Sequence, residues 1–341
     1  MKAIYMEKRG SMELVDRPMP KFTPDRAIIE MDMCGICGTD VAGYRGIADN
    51  YVYPVVIGHE AVGRIYKIAE DNPYGLKVGD RVTCEPYTHC GKCYACRQGQ
   101  YGACDHLSNT GIHQDGMMAE YHSHPLELIH KIPDYMTDEQ ACMVEPFAIG
   151  VNATRRLNVQ PGDLCLIAGG GAIGLICAMV CKSKGGIPVV ADPIDSRLET
   201  AKSMGVEYVC NNAKEDLVEY LKRINNGHLA NRMYECSGAT PVQQNMFDYV
   251  ESAGTIVMVG WPHAIFEMDM AKVIRKALTI VGSRNASDSF PEAIQLVADK
   301  VVDSDKFVTS VVPIEQTLEV LQDMVDHPAN HLKTLIRIRN K

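Results

Sequence analysis

No run of five or more like charges occurs in the 341 residues, and 34 Lys plus Arg against 43 Asp plus Glu leave a formal charge of only −9. This absence excludes a general binder of nucleic acid or of an anionic membrane surface, because both partners are held by concentrated basic patches. The N-terminus, Met1-Lys2-Ala3-Ile4-Tyr5-Met6-Glu7-Lys8, lacks the apolar core of about seven to fifteen residues that a signal peptide requires, so the chain is expected in the cytoplasm. An uninterrupted membrane-length apolar run is missing as well. The stretch Leu164 to Cys181 is uncharged and reaches the ~18 residues of a candidate span, but Gly169-Gly170-Gly171 breaks it early. It reads instead as a buried strand, a tight turn and a buried helix. Internal repeats and low-complexity linkers are also absent.

What is present is a chain long enough for two domains at about 150 residues each. Its 46% hydrophobic and 23% charged residues place it among ordinary globular proteins and away from disorder. Cysteine is abundant, at thirteen. An odd number of cysteines in a long chain with no signal peptide does not suit a disulfide framework and points toward metal ligation.

The first 150 residues are rich in Gly, Pro and short alternating segments such as Arg26 to Met33, Val55 to Ile57 and Ala61 to Ala69, the texture of an irregular, mostly β domain. From Asp163 strand-like runs alternate with helix-length segments. Strands are expected at Leu164 to Ala168, Pro188 to Ala191, Tyr208 to Cys210, Arg232 to Cys236, Thr255 to Val259 and Leu278 to Val281, with helices to about Lys184 and from Ser196 to Met204. Six such strands make a doubly wound parallel sheet, an α/β fold. The tail predicts helices near Phe290 to Val301 and Ile314 to Asp326 and a strand at Thr334 to Ile338.

Gly169-Gly170-Gly171-Ala172-Ile173-Gly174 fits G-x-G-x-x-G between a strand and a helix. That pattern provides a tight turn, bare backbone toward a diphosphate, close packing of helix on strand and a helix N-terminus for the negative charge. Asp192 ends the next strand 18 residues beyond Gly174, near the ~20 expected for the carboxylate that holds the adenosine ribose hydroxyls. A carboxylate there repels a 2′-phosphate, which favours NAD over NADP, and Arg197 follows in the same cofactor region. The competing reading is a glycine turn that serves packing alone, with Asp192 as a helix cap.

Two cysteine and histidine constellations remain. Cys90, Cys93, Cys96 and Cys104 form C-x2-C-x2-C-x7-C on a loop with Gly91, Gly99 and Gly102, which suits a closed tetrahedral zinc that holds the loop. An iron–sulfur cluster and a pair of disulfides are the rivals. The second set is dispersed over Cys37-Gly38-Thr39-Asp40, Gly58-His59-Glu60 and Val144-Glu145-Pro146. One thiolate, one imidazole and one or two carboxylates are the donor set of an open, catalytic zinc, though spacing alone does not establish it.

With these motifs in this order, and with Val78-Gly79-Asp80-Arg81-Val82 between them, the chain resembles the zinc-dependent medium-chain dehydrogenase/reductase family over essentially its whole length. Glu145, where the family's alcohol dehydrogenases place a cysteine ligand, makes it most similar to the polyol and sugar-acid branch, with its sorbitol, threonine and L-gulonate or L-galactonate 5-dehydrogenases. The resemblance implies a GroES-like catalytic domain over 1–150 and 285–341, a Rossmann domain for NAD over 151–284, and an active site in the cleft between domains. It also implies two zinc ions per chain. Cys37, His59, Glu60 and Glu145 would serve the catalytic zinc, with the resting carboxylate left open, and the four cysteines of the lobe the structural one. Thr39 corresponds to the family's proton-relay hydroxyl and Asp40 to the carboxylate that orients the ligand histidine. One position departs: Ala42 stands where polyol and threonine dehydrogenases carry a distal relay histidine.

The expected substrate is a small polyhydroxy molecule. Arg284 corresponds to the branch's substrate-contacting arginine and is suited to a carboxylate, with a cofactor or structural contact as the equal alternative. Tyr44 and His113 are weaker pocket candidates. The family also implies a homodimer or homotetramer. The reading from another class is a silent NAD-binding scaffold, which retention of Cys37, Thr39 and His59 disfavours.

Overall fold

The computed structural model describes residues 1–262 and 264–339. The chain divides into two compact units, Met1–Glu145 with Ala286–Lys341, and Pro146–Asn285. Among the described residues no helix is long and apolar enough to cross a membrane.

The first unit is mostly β. Its main sheet has seven strands, ordered Ile129–Lys131, Arg81–Cys84, Glu60–Lys67, Arg26–Ile36, Lys333–Arg337 and Val308–Pro313, with Tyr121–Pro125 also paired to Arg26–Ile36. Arg26–Ile36 is the spine, and its apolar side chains Ile29, Met31, Cys34 and Ile36 enter one core with Ile4, Met6, Ile57, Ile65 and Ile336. The C-terminal strand Lys333–Arg337 lies antiparallel on the spine, with Thr334 opposite Ile36 and Leu335 opposite Gly35, while Gly35 also faces Glu60 across the other edge. That register gathers the end of the spine, the start of Glu60–Lys67 and the start of Lys333–Arg337 at one place in the sheet.

The second unit holds six strands, all parallel, ordered Tyr208–Cys210, Ile187–Ala191, Leu164–Ala168, Ala230–Glu235, Val250–Met258 and Thr279–Gly282. This is the doubly wound order, whose switch point lies beside Leu164–Ala168, the strand that feeds the glycine turn. All five residues of that strand are buried, as a parallel strand covered on both faces requires. The expected sixth strand at Tyr208 to Cys210 is present at the sheet edge. Val250–Met258 starts earlier than expected and carries an irregular register opposite Ala230 and Arg232, with Ala253 at φ +63°, so its first half gave no clean alternation to read. In the first unit Lys2–Lys8, Ser11–Asp16, Arg81–Cys84, Ile129–Lys131 and Val308–Pro313 are strands that local pattern did not announce.

Candidate active site and metal centres

Cys37 follows the spine strand and caps the short helix Gly38–Tyr44. Asp40, wholly buried in that helix, accepts the Cys37 backbone N–H at 2.9 Å and the Tyr51 hydroxyl at 3.2 Å. His59 and Glu60 follow Gly58, whose φ of +96° and crowding against the Met118 backbone at 2.9 Å admit only glycine. Ligand atoms of Cys37, His59 and Glu60 all lie within 4.8 Å of one another. Glu145, in the first turn of the helix Val144–Leu157, lies outside that set yet close enough for its charge to act on His59 and Glu60. Its carboxylate accepts the buried Tyr87 hydroxyl.

The electrostatics fit a divalent cation. Cys37, Asp40, Glu60 and Glu145 are four potential anions, three of them buried outright, and Lys333 is paired with Glu60. Burial pushes Glu145 up to about 7, as expected for a carboxyl short of positive charge. Burial alone would lower His59, but Cys37 and Asp40 override it and raise the imidazole well above its ordinary value. His59 Nδ1 is buried without a hydrogen-bond partner. The place therefore draws positive charge and leaves an imidazole unsatisfied, which is the environment of a metal-ligating histidine. Thr39 Oγ1 is 3.7 Å from Cys37 Sγ. Asp40 has no hydrogen bond to His59 in this arrangement, its oxygens being taken by Cys37 and Tyr51.

The four-cysteine lobe is a second centre. Sγ–Sγ separations are 3.4 Å for Cys93–Cys96, 3.5 Å for Cys90–Cys104 and 3.8 Å for Cys93–Cys104. Zinc–sulfur bonds of ~2.3 Å give a tetrahedron edge of about 3.8 Å, so the thiols already stand near the corners of such a site. Backbone N–H groups of Cys90 and His106 point at Cys104 Sγ, and that of Cys93 at Cys90 Sγ. Bonds from the backbone of Cys96 and Asp105 hold the Cys93 thiol down to about 6. Gly91 and Gly99, at φ +67° and +70°, make the wrap. All thirteen cysteines are free thiols, and most of those outside the two centres are buried as small apolar residues.

In the second unit the glycine turn is tight enough to dictate its residues. A Cβ on Gly174 would lie 1.8 Å from the Gly169 carbonyl oxygen, and one on Gly169 3.1 Å from the Ser237 backbone nitrogen. A Cβ on Gly171 would meet open space. Glycine at that position therefore leaves bare backbone at the start of the helix Ala172–Ser183, which Ala172 and Ile173 open. Buried Asp192 accepts N–H bonds from Gly170 at 2.8 Å and Ile194 at 2.9 Å, with Arg197 Nη1 at 3.3 Å. The acid thus fixes the turn as well as the end of its own strand. Arg284 is exposed, its backbone carbonyl 3.4 Å from the Asn152 side-chain amide. Tyr44 donates to Gln322 and His113 accepts from the Asn109 backbone, so both hold local structure.

Tyr51, Tyr87 and Lys333 escaped sequence reading. No motif surrounds them, and each acquires its partner through the fold.

These two metal centres, with a dinucleotide turn on a doubly wound sheet, define a zinc dehydrogenase, and the chain belongs to the zinc-type medium-chain dehydrogenase family, on its polyol branch. The family described as alcohol dehydrogenase GroES-like domain matches residues 23–134, and that described as zinc-binding dehydrogenase matches residues 172–299. The chain is 33% identical to a sorbitol dehydrogenase of Halalkalibacterium halodurans, covering 91% of this chain and 92% of the relative. It is 31% identical to the L-galactonate-5-dehydrogenase of Escherichia coli K12, covering 98% of each. Among solved structures it is similar to the rspB short chain alcohol dehydrogenase of E. coli CFT073 in complex with NADH, at TM-score 0.93 and 29% identity over 99% of each chain.

Proposed function

We propose that the protein oxidises a secondary alcohol of a sugar acid or polyol with NAD, as an L-gulonate or L-galactonate 5-dehydrogenase does. The observation that carries this reading is the convergence of Cys37, His59 and Glu60 within 4.8 Å, with Glu145 where a second thiolate would mark a simple alcohol dehydrogenase. Zinc bound there supplies a Lewis acid for the substrate hydroxyl, and NAD supplies the hydride acceptor.

The chain's own residues do the rest. Cys37, His59 and a carboxylate hold the first metal, and Asp40, fixed by the Cys37 backbone and Tyr51, keeps the Cys37 turn in place. Thr39 Oγ1 receives the substrate's hydroxyl proton. With Ala42 in the usual histidine position, that proton leaves through water or another side chain. The lobe cysteines hold the second zinc and shape their loop. In the second unit Gly171 would expose backbone to the diphosphate, and Asp192, paired with Arg197, would meet the ribose hydroxyls and disfavour a 2′-phosphate. L-Threonine and sorbitol are the alternative substrates.

Arg284 recognises the substrate carboxylate in this reading. Arg284→Ala should raise KM for hexonates about tenfold or more while leaving neutral polyols nearly unchanged. Equal effects on both would sink the sugar-acid assignment. A homodimer or homotetramer is supported by the open edge of Thr279–Gly282 and by exposed apolar side chains before it, Trp261 at 78% and Ile274 at 80%. Cysteine ligands at both metal centres fit a reducing compartment, the cytoplasm.

A further inference from the structure

Glu235 is wholly buried at the carboxyl end of Ala230–Glu235, beside the switch point of the second unit's sheet and opposite Ala168, which leads into the glycine turn. Its Oε1 accepts the backbone N–H groups of Ser237 at 2.9 Å and Gly238 at 3.0 Å and the Ser237 hydroxyl at 2.5 Å, while Oε2 accepts the Gln243 amide at 2.9 Å. Both oxygens act as acceptors only, as those of an ionised carboxylate do. Every donor is neutral, so dipoles solvate the charge and none of its partners cancels it. The turn it gathers is packed on both sides: a Cβ on Gly169 would lie 3.1 Å from the Ser237 nitrogen, and one on Gly260 2.4 Å from the Gly238 nitrogen. The Glu235 carbonyl also accepts from Val259 at 2.9 Å and Gly260 at 2.8 Å.

A doubly wound sheet takes one mononucleotide on each half. With the glycine turn and Asp192 on the adenosine half, the nicotinamide half falls to the turns after Ala230–Glu235 and Val250–Met258, the two that Glu235 ties together. We propose that Glu235 positions this half of the cofactor site, and that its buried charge makes the site select the oxidised, cationic nicotinamide over the reduced, neutral one. The two forms of the cofactor differ in charge only at that ring. A fixed anion in a low-dielectric interior therefore stabilises the oxidised form, whereas contacts to the shared atoms do not separate the two. In the proposed direction of reaction this releases the product form, NADH, more readily. The inference rests on the NAD reading of the second unit and is independent of the metal centres and of the substrate.

Glu235→Gln removes the charge at nearly constant shape. It keeps one acceptor oxygen, and Gln243, whose buried Oε1 has no partner, can turn its amide to meet the new N–H. In the zinc-loaded full-length enzyme, Kd is measured by calorimetry for ADP-ribose, NAD and NADH. Glu235→Gln should raise the NAD Kd about tenfold and leave NADH and ADP-ribose within about twofold, so that the NADH-to-NAD ratio of Kd falls about tenfold. Glu235→Asp, which keeps the charge and withdraws the acceptor, should weaken NAD and NADH together and preserve their ratio. Equal changes for NAD and NADH in Glu235→Gln, or a loss shared by ADP-ribose, would overturn the proposal. Should Glu235→Gln fail to fold, Gln243→Lys, which sets an ammonium beside the carboxylate, decides by the same ratio. A fall of about tenfold supports the proposal, and a ratio within about twofold of wild type refutes it. A wild-type enzyme that binds none of the three ligands would overturn the NAD reading itself.

Discussion

Gly174→Ala isolates the cofactor turn from the rest of the molecule. The added methyl would sit 1.8 Å from the Gly169 carbonyl oxygen, where contacts under 3.0 Å are not sustained. The obstacle is backbone, so no side chain can swing away, and the turn must open by about 1 Å in a close-packed environment. Overpacking of this kind costs about 1–3 kcal/mol. Strain released by moving Gly169 and Gly171 falls on the bare backbone offered to the diphosphate, so the same energy should appear as a weaker NAD complex, about 5- to 150-fold in Kd. The assay is NAD titration by calorimetry or by quenching of the Trp261 emission, with zinc content measured on the same samples. Both zinc ions should remain, because neither centre shares a residue with the turn. Wild-type NAD affinity in a folded Gly174→Ala protein would refute the reasoning.

Cys93→Ser should leave one zinc per chain by elemental analysis and lower the thermal midpoint. Retention of two ions, or loss of both, would contradict the separation of the centres. Acid stability should be governed in part by His122 and His124, whose ring nitrogens lie 3.1 Å apart while His124 Nε2 donates to the Glu85 carbonyl. Burial, reinforced by Arg26 for His122 and by His122 for His124, holds the first down to about 3 and the second well below the ordinary imidazole range. Folded-state values below the unfolded one mean that this stability is complete above pH ~6.5 and is lost as pH falls toward 3, at up to about 1.4 kcal/mol per pH unit per histidine. In urea titrations His122→Gln with His124→Gln should flatten that slope, and an unchanged slope would show that other groups set it.

The parts of the fold that were legible are those whose physics is local. Leu164–Ala168, the glycine turn and Ile187–Ala191 announce themselves because a covered parallel strand is apolar throughout and a tight turn demands glycine. The lobe cysteines could be read together because a C-x2-C-x2-C loop closes on itself within a few residues. The strands Arg81–Cys84 and Val308–Pro313 were not legible, since both are short and are defined by partners far along the chain. The same holds at the site. Lys333 meets Glu60 across 273 positions, and Tyr87 meets Glu145 across 58, with no spacing rule to announce either pair. Glu60 and Glu145 were therefore visible as donors, while the groups that hold each carboxylate emerged only from the register that sets Leu335 and Glu60 on either side of Gly35.

Zinc-dependent hydride transfer from a sugar-acid or polyol carbinol to NAD is tested most directly by NADH formation at 340 nm on a panel of hexonates and neutral polyols, before chelation, after chelation and after zinc is restored. Turnover with NAD, greatest on a hexonate, lost on chelation and regained with zinc, is the predicted result. Turnover that survives removal of both ions, or its absence on every secondary alcohol in the zinc-loaded protein, would contradict it.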